Sequence, residues 1–331
     1  MNYRWLGAVL GVALLRLVVT FFISILIVFV LVRLLPFSPI SAADLGGAVS
    51  TSGAQAAEAR IHYYYSLLPS GPLYLQFLNF LWAVLHGNLG HSIQTNEPVI
   101  LLIEQSLPWT LLLVVTSTLL SFAIGTVLGI LLAYRQGGKI DTAGTTVSTV
   151  AYSIPVYVVG IALLLFLSYS GNYFPSAGAY SVGLPIGISY AFVSSAASHA
   201  VLPILALTLV SFGSWTLSMR ANSIGVMGQD YVWAAEARGI PGYRVALRYV
   251  GRNAILPQFT YLVIALGFSI AGSVFVEEIF TYPGIGYQLI TAITYNDFPV
   301  IMAIFITYVL CILVALIVAD LTYGLIDPRA R

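Results

Sequence analysis

The chain has 331 residues, 59% of them apolar and only 8% charged, with a formal net charge of +1. A soluble domain carries about 25% charged residues, so this chain cannot cover a water-facing surface and belongs in a bilayer. The near-neutral balance excludes a basic field for nucleic acid, and the single cysteine, Cys311, excludes an intramolecular disulfide.

Spanning the hydrocarbon core takes about 20 mostly apolar residues. On that measure the sequence predicts an all-α integral membrane protein with six transmembrane helices. Residues 1–16 are expected to form a cytoplasmic or interfacial N-terminal extension; the alternative is a first span that starts earlier, with Arg16 inside the membrane at a cost of a few kcal/mol. The first span is expected at Leu17–Leu35, with Arg33 snorkelling outward to the headgroups. No small-residue cleavage site follows this run, so it is expected to be retained rather than removed as a signal. An extracytoplasmic segment, 36–106, follows. Its start, Ser38–Ala59, is rich in Ser, Ala and Gly; further on, Tyr74, Phe77, Leu78 and Leu81 fall at helical spacing. That spacing predicts a helix lying on the outer interface.

The second span is expected at Leu107–Tyr134 and the third at Thr142–Tyr169. Between them, Gln136-Gly137-Gly138-Lys139-Ile140 holds the chain's only lysine. It lacks the upstream glycine of a phosphate-cradling Walker A loop, and Ile140 stands where Ser or Thr would bind magnesium. The chain is therefore not expected to hydrolyse ATP. An extracytoplasmic loop, 170–199, includes Leu184–Ala197, which is short and interrupted by Pro185 and Gly187. The fourth span is expected at Ala200–Met219, a cytoplasmic loop at 220–253, and the fifth span at Ala254–Val276. An outer loop, 277–297, the sixth span at Phe298–Ala319 and a cytoplasmic tail, 320–331, complete the chain.

Lys and Arg concentrate on the cytoplasmic side. With both termini inside, the inner segments hold Arg4, Arg16, Arg135, Lys139, Arg220, Arg238, Arg244, Arg248, Arg252, Arg329 and Arg331. Of the 13 basic residues only Arg33 and Arg60 remain outside.

No catalytic or metal-binding constellation appears. The histidines, His62, His86, His91 and His199, are all assigned to outer loops, and no HExxH, CxxC or GxSxG motif occurs. The distinctive feature is the cytoplasmic loop. Its helical stretch Asp230–Arg238 has Asp230 placed as an N-cap. Gly239 follows where a left-handed turn ends a helix, and Pro241 prevents continuation. A second stretch, Tyr243–Asn253, carries Arg244, Arg248 and Arg252 as one basic stripe. A solvated loop near anionic lipid would explain the arginines. It would not explain the small face Ala234-Ala235-Glu236-Ala237, which suits close docking into a partner's groove.

This loop resembles that of permeases of binding-protein-dependent ABC importers, specifically the dipeptide and oligopeptide branch. That branch reads D-Y-[VI]-R-T-A-R-A-K-G-L, then a valine, then R-N-A-L-L-P. Asp230, Tyr231, Val232, Ala235, Ala237 and Gly239 match, as do Val245, Arg252, Asn253, Ala254, Leu256 and Pro257. Trp233, Glu236 and Tyr249 replace Arg, Arg and His. Leu85-His86-Gly87-Asn88-Leu89-Gly90-His91-Ser92 is similar to L-x-G-D-L-G-x-S, and Ser153-Ile154-Pro155 to the branch's third-span motif. Phe174-Pro175-Ser176-Ala177-Gly178 is similar to L-P-P-S-G. Glu277, Phe280, Pro283, Gly284 and Gly286 resemble E-T-V-F-S-W-P-G-L-G, Asp297–Val300 resembles D-Y-P-V, and Asp327-Pro328-Arg329 the terminal D-P-R. Pro36-Phe37-Ser38-Pro39 departs from P-G-D-P.

The resemblance implies the type I importer permease fold and a place in the cell's inner membrane among lipid. It implies three kinds of partner protein. A second homologous permease completes the pathway. Two cytoplasmic ABC ATPases carry ATP and Mg2+, so no cofactor belongs to this chain. An extracytoplasmic solute-binding protein delivers cargo. The ATPase-coupling residues carried over are Asp230, Tyr231, Ala235, Glu236, Arg238, Gly239, Arg252, Asn253 and Pro257. Cargo in this branch is peptide, with oligosaccharide and nickel as alternatives. Tyr152, Tyr157, Trp215 and Tyr261 are candidates for lining the pathway or for ordinary helix packing. An ion-coupled secondary transporter would need intramembrane carboxylates, and Glu277, Glu278 and Asp320 all fall at predicted span ends. A non-transporting scaffold is the third class.

Overall fold

The computed structural model describes Leu15, residues 17–30 and residues 72–326, with side chains through Asp320. Expectations for residues 1–14, Arg16, the end of the first span, all of 36–71 and the terminal Asp327-Pro328-Arg329 lie outside the described residues. Every regular element among the described residues is helical: α1 (Leu17–Val30), α2 (Leu73–Leu85), α3 (Val99–Tyr134), α4 (Lys139–Ser153), α5 (Val156–Tyr169), α6 (Tyr190–Met227), α7 (Asp230–Ala237), α8 (Gly242–Gly272), α9 (Val274–Ile279), α10 (Ile285–Thr294) and α11 (Phe298–Ile326). Four of them, α3, α6, α8 and α11, are long and apolar enough to cross a membrane, or five spans if α4 and α5 count as one broken span.

The starts of α3, α4, α6 and α8 precede the apolar windows, whereas α8 ends at Gly272, short of the expected Val276, which falls in α9. α6 has 38 residues where a span over Ala200–Met219 is expected. At about 1.5 Å per residue it is roughly 57 Å long, nearly twice the hydrocarbon core. It therefore absorbs the end of the expected outer loop. Ser189 is its N-cap, accepting a hydrogen bond from the Phe192 N–H. His199 consequently lies in a helix, buried, with Nδ1 2.7 Å from the Ser195 carbonyl oxygen, not in a loop. α3 likewise begins at Val99, and α8 begins at Gly242, well before the expected Ala254.

The third span is not a straight helix. α4 and α5 meet at 92°, because Pro155 cannot donate to the helical ladder and holds Ile154 extended (φ −81°, ψ 127°). α8 contains a wider-turn stretch at Val245–Gly251, ahead of the α-helical part that carries Pro257.

The chain divides into two compact units. One comprises Met1–Ile103 and Ala292–Val309. In it the Phe29 ring packs 5.5 Å from Phe77 and 5.6 Å from Phe80. Two motif segments far apart in sequence also meet there: the buried Ser92 hydroxyl donates to Asp297 Oδ2 at 2.5 Å. Asn88 stands in for the motif's Asp by accepting the Gly90 N–H at 3.0 Å.

The other unit comprises Glu104–Thr291 and Leu310–Arg331. Without water to drive apolar association in lipid, small residues permit backbone approach. Gly125 and Gly129, a G-x-x-x-G pair on α3, lie against Trp215, Thr216 and Met219 of α6. A Cβ on Gly129 would come within 2.7 Å of the Thr216 carbonyl oxygen. Gly267 of α8 approaches Ala315 of α11 in the same way.

Candidate coupling segment

Gln229, in extended conformation (φ −84°, ψ 143°), precedes α7 and makes no side-chain cap. Asp230 is thus the first helical residue rather than the N-cap. Its carboxylate still sits at the positive end of the helix. Arg238 ends the helix, and Gly239 adopts φ +72°. The Gly239 N–H donates to the Glu236 carbonyl at 2.8 Å and the Ile240 N–H to the Ala235 carbonyl at 3.3 Å. These two bonds form a Schellman closure, which satisfies carbonyls the helix leaves open. A side chain at φ > 0 costs about 1–2 kcal/mol, so Gly239→Val is expected to open this corner. Limited proteolysis should then cut at this corner while membrane insertion persists; unchanged protection of that variant would show that Gly239 is dispensable there.

The two faces of α7 are chemically distinct. Val232 and Ala235 are buried against Val245 and Val250 of α8. Ala235, only 2% exposed, therefore faces its own chain and not a partner. The exposed side carries Asp230, Trp233, Ala234, Glu236, Ala237 and Arg238. Trp233 is 68% exposed among small neighbours. Tyr231 and Asn253 come together: Asn253 Nδ2 donates to the Tyr231 hydroxyl at 2.9 Å and to the Tyr249 carbonyl at 3.1 Å. This bond fastens α7 to α8. Arg244, Arg248, Arg252 and Pro257 are all exposed along α8. Gly242 rests against the Tyr134 ring at the end of α3 with no room for a Cβ.

The proposed pathway aromatics separate. Tyr152, Tyr157 and Tyr261 are exposed, the first two flanking the Ile154–Pro155 break. Trp215 is 4% exposed, held between Phe122 (5.4 Å, edge-on) and Tyr261 (5.0 Å). Its ring is taken up by packing between these neighbours.

Two buried polar sites, Asp141 and Gln258, escaped the sequence reading, and a third, Glu277, was legible only as a motif residue at a span end. Asp141 is buried and pairs bidentately with Arg220, Nε to Oδ1 at 2.6 Å and Nη2 to Oδ2 at 2.7 Å. Opposite charges closing the uncharged stretch 142–219 were the available signal. Gln258 is buried on α8, taking a bond from Ser218 at 2.9 Å and donating to the Trp215 carbonyl at 3.0 Å. Glu277, 0% exposed, accepts from the Ser273 hydroxyl at 2.7 Å, and from the Gly286 and Tyr287 N–H groups at 2.7 and 3.3 Å. Burial pushes its carboxyl above the ordinary carboxylate range, while bonds from Ser273, Thr110, Gly286 and Tyr287 pull it back.

Long apolar helices joined by one exposed helix–glycine–helix corner define a multi-pass helical membrane protein. The chain belongs to the binding-protein-dependent transport system inner membrane components, whose family model matches residues 125–331. It is 34% identical over 259 residues to the oligopeptide transport system permease protein AppB of Bacillus subtilis (strain 168), covering 78% of this chain and 80% of that one. It is 32% identical over 331 residues to the di/tripeptide transport system permease protein DppB of Pseudomonas aeruginosa (strain UCBPP-PA14), covering 95% and 96%. Among solved structures, a crystallised amino acid ABC transporter with histidines matches with a TM-score of 0.46 at 20% identity, over 67% of this chain and 93% of that one.

Proposed function

We propose that this chain is one of two homologous permeases forming the translocation pathway of an ATP-driven importer, and that its cargo is a dipeptide or oligopeptide. The cargo follows the names of its relatives, which are peptide permeases at 30–34% identity. Six spans of the type I arrangement place both termini and α7 in the cytoplasm, in line with the distribution of Lys and Arg. Two ATPases, holding ATP and Mg2+, dock on α7 and its counterpart; an extracytoplasmic binding protein supplies solute. ATP binding closes the ATPase pair and moves the docked helices as rigid bodies, which reorients the pathway.

The observation that carries this reading is the two-faced α7. One side is fixed to its own chain through Val232, Ala235 and the Tyr231–Asn253 bond, and the other presents Trp233 on small residues. A helix held this firmly transmits displacement instead of absorbing it.

The test joins topology to transport. Tyr243 is exposed next to the corner. Tyr243→Cys in a Cys311→Ser background should react with an impermeant thiol reagent in inside-out vesicles and not in sealed cells. Peptide uptake into proteoliposomes should require ATP, both ATPases and the binding protein. Labelling from outside, or uptake driven by an ion gradient without ATP, would overturn the reading.

A further inference from the structure

We propose that the Asp141–Arg220 pair is a strut that carries motion of the coupling segment into α4, making both residues positioning residues for ATP-coupled transport. This rests on the reading of α7 as the coupling helix.

The argument begins with placement. Arg220 lies on α6 two turns before its end at Met227, and only Gly228 and Gln229 separate that end from α7. Asp141 lies in the first turn of α4. Its carboxylate is fully engaged: two bonds from the Arg220 guanidinium, and one to Oδ2 from the Gly137 N–H at 2.9 Å. Gly137, at φ +77°, belongs to the turn joining α3 to α4. One buried carboxylate thus ties together that turn, the start of α4 and the helix leading into α7.

The same turn is gripped from the far side of the coupling segment. Gly242, the first residue of α8, sits on the ring of Tyr134, the last residue of α3. The α3–α4 turn is therefore held both before α7, by Arg220, and after it, by Gly242. Displacing α7 displaces this turn. α4 then runs as an uninterrupted helix, close-packed on α6 where Gly213 faces the Ser148 carbonyl, as far as the 92° break at Ile154–Pro155. The break, with exposed Tyr152 and Tyr157 beside it, is where a push along α4 has somewhere to go. An ion pair is suited to this task because a bidentate guanidinium–carboxylate contact fixes angle as well as distance. Arg and Lys are not interchangeable in it.

The experiment uses the whole transporter in proteoliposomes and measures solute moved per ATP hydrolysed. Arg220→Lys and Asp141→Asn should each lower that ratio about tenfold, the scale of a typical coupling free energy, while hydrolysis continues. A third variant, Asp141→Cys/Arg220→Cys in a Cys311→Ser background, should be equally uncoupled when reduced. A bifunctional thiol reagent that bridges the two positions should restore the ratio. A purely structural role would lower assembled complex without changing the ratio. An unchanged ratio in the assembled variants, or a bridge that abolishes transport, would overturn the strut. Cross-linking of Ala234→Cys to an ATPase subunit separates the two readings. If that cross-link forms while the ratio is unchanged, the strut alone fails; if it does not form, the reading of α7 fails with it.

Discussion

Ala234→Trp is expected to weaken association of the ATPases by about 2 kcal/mol or more, roughly thirtyfold, and to abolish ATP-driven uptake. Ala234 lies on the exposed side of α7 beside Trp233 and one turn before Ala237. Small residues there let a partner's surface approach the helix backbone, and an indole would hold it away. The neighbouring Ala235→Trp should also be severe, for a different reason. Ala235 is buried against Val245 and Val250, so the indole overpacks the chain's own interior at about 1–3 kcal/mol. Limited proteolysis distinguishes them: α7 should become cleavable in Ala235→Trp and stay protected in Ala234→Trp. Arg248→Ala removes one exposed charge worth about 0–1 kcal/mol in an ion pair and should be mild. If Arg248→Ala is severe and Ala234→Trp is silent, this segment acts through charge on lipid, and the docking face is wrong.

The choice between Ala234 and Ala235 also shows where sequence reading loses resolution. Asp230–Ala237 has barely two turns, and all but Asp230 and Glu236 are small or apolar candidates for the inward face. No periodicity can be read from so short a run. Only the packing of Val232 on Val245 and Val250 sets the rotation. Gly239 is different, because a glycine just past a helix end, with Pro241 two residues on, has one favoured conformation, the left-handed one, and φ +72° is that answer. The long helices were visible as apolar stretches because lipid demands them. Their ends were not, because a helix leaving the hydrocarbon core can continue through polar residues with no change in its backbone bonds. Hence α6 runs over residues expected as loop on both sides of its apolar window. The motif Ser153-Ile154-Pro155 was legible as a motif, but the right-angle break it produces was not, since a proline in a helix can kink as well as break. Polar residues inside the bundle were the least legible. Asp141 and Gln258 depend on partners tens of residues away in the chain, and Glu277 on N–H groups that only the turn after α9 brings back to it.

Glu277 is where the largest loss of stability is expected. Its carboxylate occupies the N-terminal end of α10, taking the Gly286 and Tyr287 N–H groups that the first turn leaves without helical partners. Thr110 of α3 completes the arrangement by accepting the Ile285 N–H at 2.8 Å. Gly284 and Gly286 leave the space the carboxylate fills, since a Cβ at either would meet Glu277 Oε2. The acid and the two glycines of this motif are thus one structural unit. Glu277→Ala strips the buried Gly286 N–H and the partly buried Tyr287 N–H of their acceptor, at about 1–3 kcal/mol for a fully buried group. It also leaves a cavity, which adds to the cost. The variant should lose most assembled transporter, measured by thermal unfolding and by yield of the solubilised complex. Glu277→Gln should be far milder. Its carboxamide oxygen can take the Gly286 and Tyr287 bonds, while its NH2 turns to Ser273, whose hydroxyl can accept as well as donate. Glu277→Asp, one methylene short, should resemble Glu277→Ala because the carboxylate no longer reaches the helix end. Should Glu277→Gln prove as damaging as Glu277→Ala, the negative charge itself would be what the site requires. Glu277 would then act as an ion and not as a helix cap.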